Sequence, residues 1–217
     1  MRFFATTRIL VWILFTGLCL QAQTREAAPE AKGIPPRATP ADYQSHAQAG
    51  TITIAAEFTG HSLPTLEGPL TTEEYVAVEV ALFGPAGAAL KISTDNFSLK
   101  VNGKKSALPG LPYGVTFSSL KDPEWIPPEP PEKKSKSSMG TGGQGGGAND
   151  PPPLPPKMTV KELRALGLRV QKAALPEGDR ALPQAGLLFF QYRGKNIQSV
   201  ELLYDGPAGK ASLNLQP

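Results

Sequence analysis

The sequence predicts a mainly β protein: an antiparallel β-sandwich of about seven strands with one helix and a long low-complexity insert. Three observations predict it. Segments such as 76–82, 200–204 and 211–215 alternate or sustain apolar residues at the period of a buried or half-buried strand. The tetrapeptide Gly-Pro-Ala-Gly stands at 84–87 and again at 206–209, each time between two such segments. Asn102-Gly103, where both residues tolerate positive φ, has the composition of a type I′ hairpin turn.

The N-terminus precedes any fold. Arg2 and Arg8, the apolar run 9–20 and the sequence Leu20-Gln21-Ala22 together read as a secretory signal over residues 1–23. The run is short of the roughly twenty residues that span a bilayer, so no stable membrane span is expected after cleavage; the alternative is an uncleaved anchor. Leu18 stands where a lipoprotein signal needs a small residue before Cys19. Cys19 is the single cysteine, so the cleaved chain has no disulfide and no thiolate metal site. Residues 24–48, rich in Ala, Pro and Glu, read as a disordered spacer. The expected domain is 49–217, interrupted by an insert at 122–157.

Within that domain the first strand is 51–58, with Ile52, Ile54, Ala56 and Phe58 on one face. The strongest is 75–83. Val76, Val78, Val80 and Leu82 point one way, and the opposite face is nearly as apolar, so this strand belongs mid-sheet with cover on both sides. Residues 89–93 and 96–101 follow, and 104–108 is expected to return from the Asn102-Gly103 turn as a partner strand. The insert joins polyproline-like ends to a Gly-rich middle. Because loop closure grows only logarithmically with length, it is compatible with a loop inside one domain.

Residues 158–175 read as the helix. Thr159 and Glu162 have capping-box spacing, Met158 and Leu163 a hydrophobic staple. Leu163, Leu166, Val170 and Ala174 form the apolar stripe, and Pro176 ends it. Strands 187–192, 197–204 and 211–215 complete a count that suits an immunoglobulin-like sandwich.

Charge and motifs exclude several function classes. Without Arg2 and Arg8 the chain has 20 basic against 19 acidic residues, which gives no electrostatic footprint for nucleic acid. His46 and His61 are not clustered with other metal-ligating residues. There is no G-x-S-x-G elbow, no P-loop and no dinucleotide fingerprint. The carboxylates Glu73, Glu74, Asp95, Asp122, Glu124, Glu177 and Asp179 sit at turns and strand ends, where acidic residues are ordinary. No catalytic residue, cofactor or metal ligand is therefore assigned. The proline run 151–156 reads as a spacer, with a polyproline ligand as the sharper alternative. Tyr113, Phe117 and Trp125 are the candidate partner-contact residues. Exposed, they would meet a protein or glycan; buried, Trp125 would pin the start of the insert.

Several stretches resemble uncharacterised exported bacterial proteins with an immunoglobulin-like domain. They are the run from Asp42-Tyr43 to Ile54, Tyr75-Val76-Ala77-Val78-Glu79-Val80, Asn96-Phe97-Ser98-Leu99 before Asn102-Gly103-Lys104, and Leu188-Phe189-Phe190-Gln191-Tyr192 with the second Gly-Pro-Ala-Gly. The resemblance implies a fold and an extracytoplasmic location, periplasmic or secreted, and carries over no site residue. The function expected is a non-enzymatic binding or envelope-interaction module whose partner is a protein or glycan of the cell envelope. The alternatives are a cell-envelope hydrolase with carboxylates at the sheet end, and a purely structural spacer domain.

Overall fold

The structure, a computed structural model, describes residues 31–127 and 157–217. The expected signal at 1–23 with Cys19, the first part of the expected spacer, and the insert from 128 to 156 lie outside the described residues.

The protein is mainly β. Thirteen strands and one α-helix occur among the described residues. In chain order they are β1 (Ser45–Ala49), β2 (Ile52–Gly60), β3 (Ser62–Leu63), β4 (Leu70–Thr72), β5 (Tyr75–Phe83), β6 (Ala89–Ile92), β7 (Phe97–Val101), β8 (Leu108–Pro109) and β9 (Leu120–Lys121). Then come α1 (Val160–Ala173), β10 (Gly178–Ala181), β11 (Gln184–Gln191), β12 (Val200–Gly206) and β13 (Gly209–Leu215). Two four-stranded sheets carry the architecture, ordered β1-β2-β5-β11 and β13-β12-β7-β8. A three-stranded sheet β3-β4-β9 and the pair β10-β6 complete it, and every pairing within these sheets is antiparallel.

The two large sheets share one core. Val76, Val78, Val80 and Leu82 of β5 and Leu188 and Phe190 of β11 come from one side. Leu99 of β7, Leu202 and Tyr204 of β12, and Leu213 of β13 come from the other. Period-2 alternation delivers these residues to a single face of each strand, and burying each one fully is worth about 1.5–3 kcal/mol. The opposite face of β5 and β11 is covered as well. Ala77, Leu187 and Phe189 pack under Leu166, Val170 and Ala173 of α1, together with Leu63, Leu70 and Leu120. β5 is thus flanked by β2 and β11 and buried on both faces, as its composition requires.

α1 begins where the sequence places its cap. The Glu162 amide donates to Thr159 Oγ1 at 3.3 Å, and Glu162 Oε2 accepts from Thr159 N at 2.6 Å. Asn102 (φ 55) and Gly103 (φ +64) form the expected turn, closed by Lys104 N–H donating to the Val101 carbonyl at 3.3 Å.

Four expectations are corrected. First, the Gly-Pro-Ala-Gly at 84–87 does not make a hairpin. β5 pairs with β2 and β11, whereas β6 pairs with β10. The tetrapeptide fixes only the local reversal, with Ala88 N–H donating to the Pro85 carbonyl at 3.0 Å. Strand partnership is decided by burial: β5 needs neighbours and cover on every side, while β6 alternates exposed and buried residues. The second copy does join a hairpin, β12 to β13. Second, residues 31–48 are not a spacer throughout. Ile34 bridges Ala185, and β1 pairs with β2 over its whole length. Third, the strand returning from Asn102-Gly103 is only Leu108–Pro109, where Pro109 cannot donate to a longer ladder. Fourth, the strands exceed the expected seven because β1 falls in the expected spacer and β3, β4, β9 and β10 are short pieces without a periodic signal of their own.

Candidate functional site

β11 is the outermost strand of its sheet, and a bare strand edge is a liability. Here three separate segments cap it. The carbonyls of Ala185, Leu187 and Phe189, alternate residues on one edge, accept from the amides of Ile34 at 3.0 Å, Leu175 at 3.0 Å and Leu111 at 2.9 Å. The chain leaving α1 lies close to β11 because residue 186 is glycine. A Cβ there would sit 2.5 Å from Leu175 N and 2.8 Å from Ala174 C.

Between the Leu175 and Leu111 caps opens a cleft of about 250 Å³. Leu111, Leu175, Leu187 and Phe189 give it an apolar lining, and Tyr113 and Gln171 add polar groups. Thr94, Glu177 and Arg180 line its more exposed part. There Glu177 Oε1 accepts from both the amide and the hydroxyl of Thr94, each at 2.9 Å, and the Glu177 carbonyl accepts from Arg180 Nε at 2.9 Å. Gln171, near the C-terminal end of α1, is 5% exposed.

The residues singled out from sequence are not gathered in one place. Tyr113 is half-buried and lines the cleft at the C-terminal end of α1. Its carbonyl accepts from the Thr116 hydroxyl at 2.8 Å inside the 3-10 turn Tyr113–Ser119. Phe117 lies in the same turn; its side chain is outside the described part. Trp125 is half-buried, and its indole Nε1 donates to Glu162 Oε1 at 3.1 Å, near the N-terminus of α1. Residues 162 and 171 are separated by roughly 13 Å along a helix. Trp125 therefore belongs to the helix cap, not to the Tyr113 cleft. The contact also joins the two flanks of the 128–156 segment. Gln171 was not singled out in the sequence; its signal is a lone polar residue in helical line with Gly167 and Ala174 on the buried side.

A second, open groove of about 660 Å³ is lined by His61, Glu73, Glu74, Lys121, Arg193 and Lys195, with Thr71 and Thr72. Most of its charges are already paired: Lys121 with Glu73 at 2.6 Å and Arg193 with Glu74 at 2.7 Å. The hydrogen bond from Lys121 holds the Glu73 carboxyl below its usual range. His61 is held between two carbonyls, Nδ1 at 2.8 Å from that of Tyr75 and Nε2 at 3.2 Å from that of Gly194. It ties the turn before β3 to the start of β5 and to the chain after β11.

Among the described residues no group of three or more His, Cys, Asp or Glu is arranged to hold a metal ion, and no helix is long and apolar enough to cross a membrane. Comparison with known proteins gave no matching family model, no matching curated protein and no matching solved structure.

Proposed function

We propose that the protein is an exported, non-enzymatic binding module, built on an immunoglobulin-like sandwich, that engages a protein or glycan of the cell envelope through the Tyr113 cleft. The strand order supports the fold reading. β5 and β11 lie side by side in one antiparallel sheet, β7 and β12 lie side by side in the other, and the chain passes directly from β11 to β12. Antiparallel strands divided between two sheets over a shared core are what such a sandwich needs. Export rests on Arg2, Arg8 and the apolar run 9–20.

Function is argued from the site and not from the fold. The observation that carries the binding reading is the coincidence of an apolar lining, Tyr113 and the polar side chain of Gln171 in one small cleft. Few polar groups converging in a mostly apolar concavity is the usual make-up of a binding site. Among the described residues the cleft lining includes no serine, cysteine or histidine, and one carboxylate, Glu177. Glycoside hydrolysis by the usual route needs two.

The test is retrieval of partners from envelope fractions under gentle crosslinking, with the parent protein and with Tyr113→Ala. The reading expects a partner with the parent and a signal lowered about tenfold or more with the variant, the usual loss when a central aromatic contact is removed. Retrieval of nothing by the parent would contradict it.

A further inference from the structure

We propose that the outward face of α1 is a peripheral docking surface for an anionic lipid bilayer. Lys157, Lys161 and Arg164 meet the headgroups, and Ile126, Val160 and Leu168 enter the interface. This is a contact on a membrane and not a span, and it does not use the Tyr113 cleft. Two observations lead to it.

The first is where the exposed apolar residues stand. Among the described residues the large hydrophobic side chains left exposed are Leu66, Val115, Ile126, Val160 and Leu168. All five lie on α1 or on a segment joined to it. Val160 and Leu168 belong to the helix. Ile126 follows Trp125, whose indole donates to Glu162. Leu66 precedes Glu67, which accepts from Arg169 through its carbonyl and from Lys172 through its carboxylate. Val115 is in the 3-10 turn Tyr113–Ser119, which packs against α1. The strands of the two large sheets expose none. Single exposed apolar residues are ordinary; their confinement to one element and its neighbours marks an interaction surface.

The second is charge. At about 100° per residue, Lys161, Arg164, Leu168 and Lys172 fall within about 80° of one another around the helix, and all four are exposed. Lys172 pairs with Glu67 at 2.8 Å. Lys161, Arg164 and Lys157, the last just before the helix, have no ion pair among the described residues. The acidic groups beside them are engaged: Glu67 by Lys172, Asp122 by Arg169, and Glu162 by Thr159 and Trp125. Glu124, also exposed, is the one without such a partner among the described residues of these segments.

Unpaired cations around exposed aliphatic groups are the make-up of a helix that lies in a bilayer interface. A protein interface centres instead on a packed core enriched in aromatic residues. The five exposed residues are all aliphatic, and none of them lines either cavity described above.

The experiment places the full-length protein on lipid nanodiscs carrying a spin-labelled phospholipid and follows it by ¹H–¹⁵N NMR. One set of discs holds phosphatidylglycerol and phosphatidylcholine in equal parts, the other phosphatidylcholine alone. The apolar run 9–20 partitions into either disc, so the reading is taken residue by residue. The Lys161, Arg164 and Leu168 amides are expected to broaden on the anionic discs at a lipid concentration at least about tenfold below that needed on the neutral ones, since each cation near an anionic surface is worth a factor of about five. The Asn214 amide, on β13, should stay sharp. Raising the salt from about 0.05 M to about 0.5 M should reverse the broadening. Lys161→Gln/Arg164→Gln should keep its melting temperature and need about twentyfold more anionic lipid. Leu168→Ser should need about fivefold more.

Equal broadening on both kinds of disc, an unchanged lipid requirement in Lys161→Gln/Arg164→Gln, or broadening at Asn214 in place of α1 would overturn the proposal. Shifts of the same amides with hexaglutamate, and none with the anionic discs, would assign the face to an acidic protein and overturn it too. Retrieval of a Tyr113-dependent partner bears on the cleft alone, so either reading can fail without the other.

Discussion

Glu57 on β2 and Glu79 on β5 stand directly opposite one another in the strand register, and a single guanidinium, that of Arg37, lies between them. Arg37 reaches Glu57 at 2.5 Å and Glu79 at 3.4 Å, and its head sits 4.5 Å from the centre of the Tyr43 ring. Like charges facing each other across a ladder are destabilising. The N-terminal segment is therefore held on the sheet by the charge it neutralises. Arg37→Ala should cost about 1–3 kcal/mol at pH 7, less than for a fully buried pair because Arg37 is about a third exposed. Urea denaturation measures this, and a cost below about 0.5 kcal/mol, the range of a surface pair, would contradict it.

The same cluster sets a pH dependence. Burial pushes the Glu79 carboxyl above its ordinary range, against the pull of Arg37. The folded chain then binds the Glu79 proton more tightly than the unfolded chain does. That contribution is fully present below the ordinary glutamate pKa of about 4.3 and is lost as pH rises through the raised folded value. Glu79→Gln cannot lose it. The stability of the variant relative to the parent should therefore rise with pH across that window, and parallel stability–pH curves would refute the assignment.

Gly186→Ala should open the cleft from beneath. The added Cβ collides with the backbone of Leu175 and Ala174, which cannot swing aside as a flexible side chain would. A loss of about 2–3 kcal/mol is expected. With it should go protection of the Leu175 amide, whose bond to the Leu187 carbonyl caps the strand edge. Thermal melting and hydrogen exchange report the two effects. Full protection of Leu175 in the variant would show that the approach is looser than described.

Asn102 ties two connections together. Its Oδ1 accepts from Gln198 N at 2.7 Å, its Nδ2 donates to the Asn196 carbonyl at 2.9 Å, and its backbone sits at φ 55. Asn102→Gly loses the side-chain bonds alone and should cost about 1–2 kcal/mol. Asn102→Ala adds left-handed backbone strain of about 1–2 kcal/mol. The order Asn, Gly, Ala in falling stability is the prediction, and an alanine variant at least as stable as the glycine one would contradict it.

Trp125 acts on Glu162. Hydrogen bonds from the Thr159 backbone, the Thr159 hydroxyl and the Trp125 indole hold that carboxyl below its usual range. Trp125→Phe removes the last of these, so the Glu162 carboxyl should titrate at higher pH in an NMR titration. An unchanged midpoint would mean that the indole bond is not formed in solution.

What the sequence carried was local or periodic. β5 announced its burial on both faces through its own residues, and Thr159 with Glu162 announced the start of α1. Pairing partners were not legible, because Gly-Pro-Ala-Gly sets a turn and not the strand across it; the two copies lead to different outcomes. Residues 31–48 looked like spacer because their composition is poor in apolar groups. Their order comes from Arg37 and from the Ile34 amide, contacts to residues far along the chain that no window reveals. Tyr113 was legible as an aromatic in a turn. Gln171 was not, because whether a polar side chain on a helix is wet or trapped depends on what packs above it.

Site-specific photocrosslinking from position 113 tests the central claim most directly. In intact cells, Tyr113→p-benzoylphenylalanine should give a discrete crosslinked partner. The same group at Asn214, exposed on the far edge strand β13, should give none. Crosslinks from position 214 and none from 113 would place the working surface on the other sheet and contradict the account.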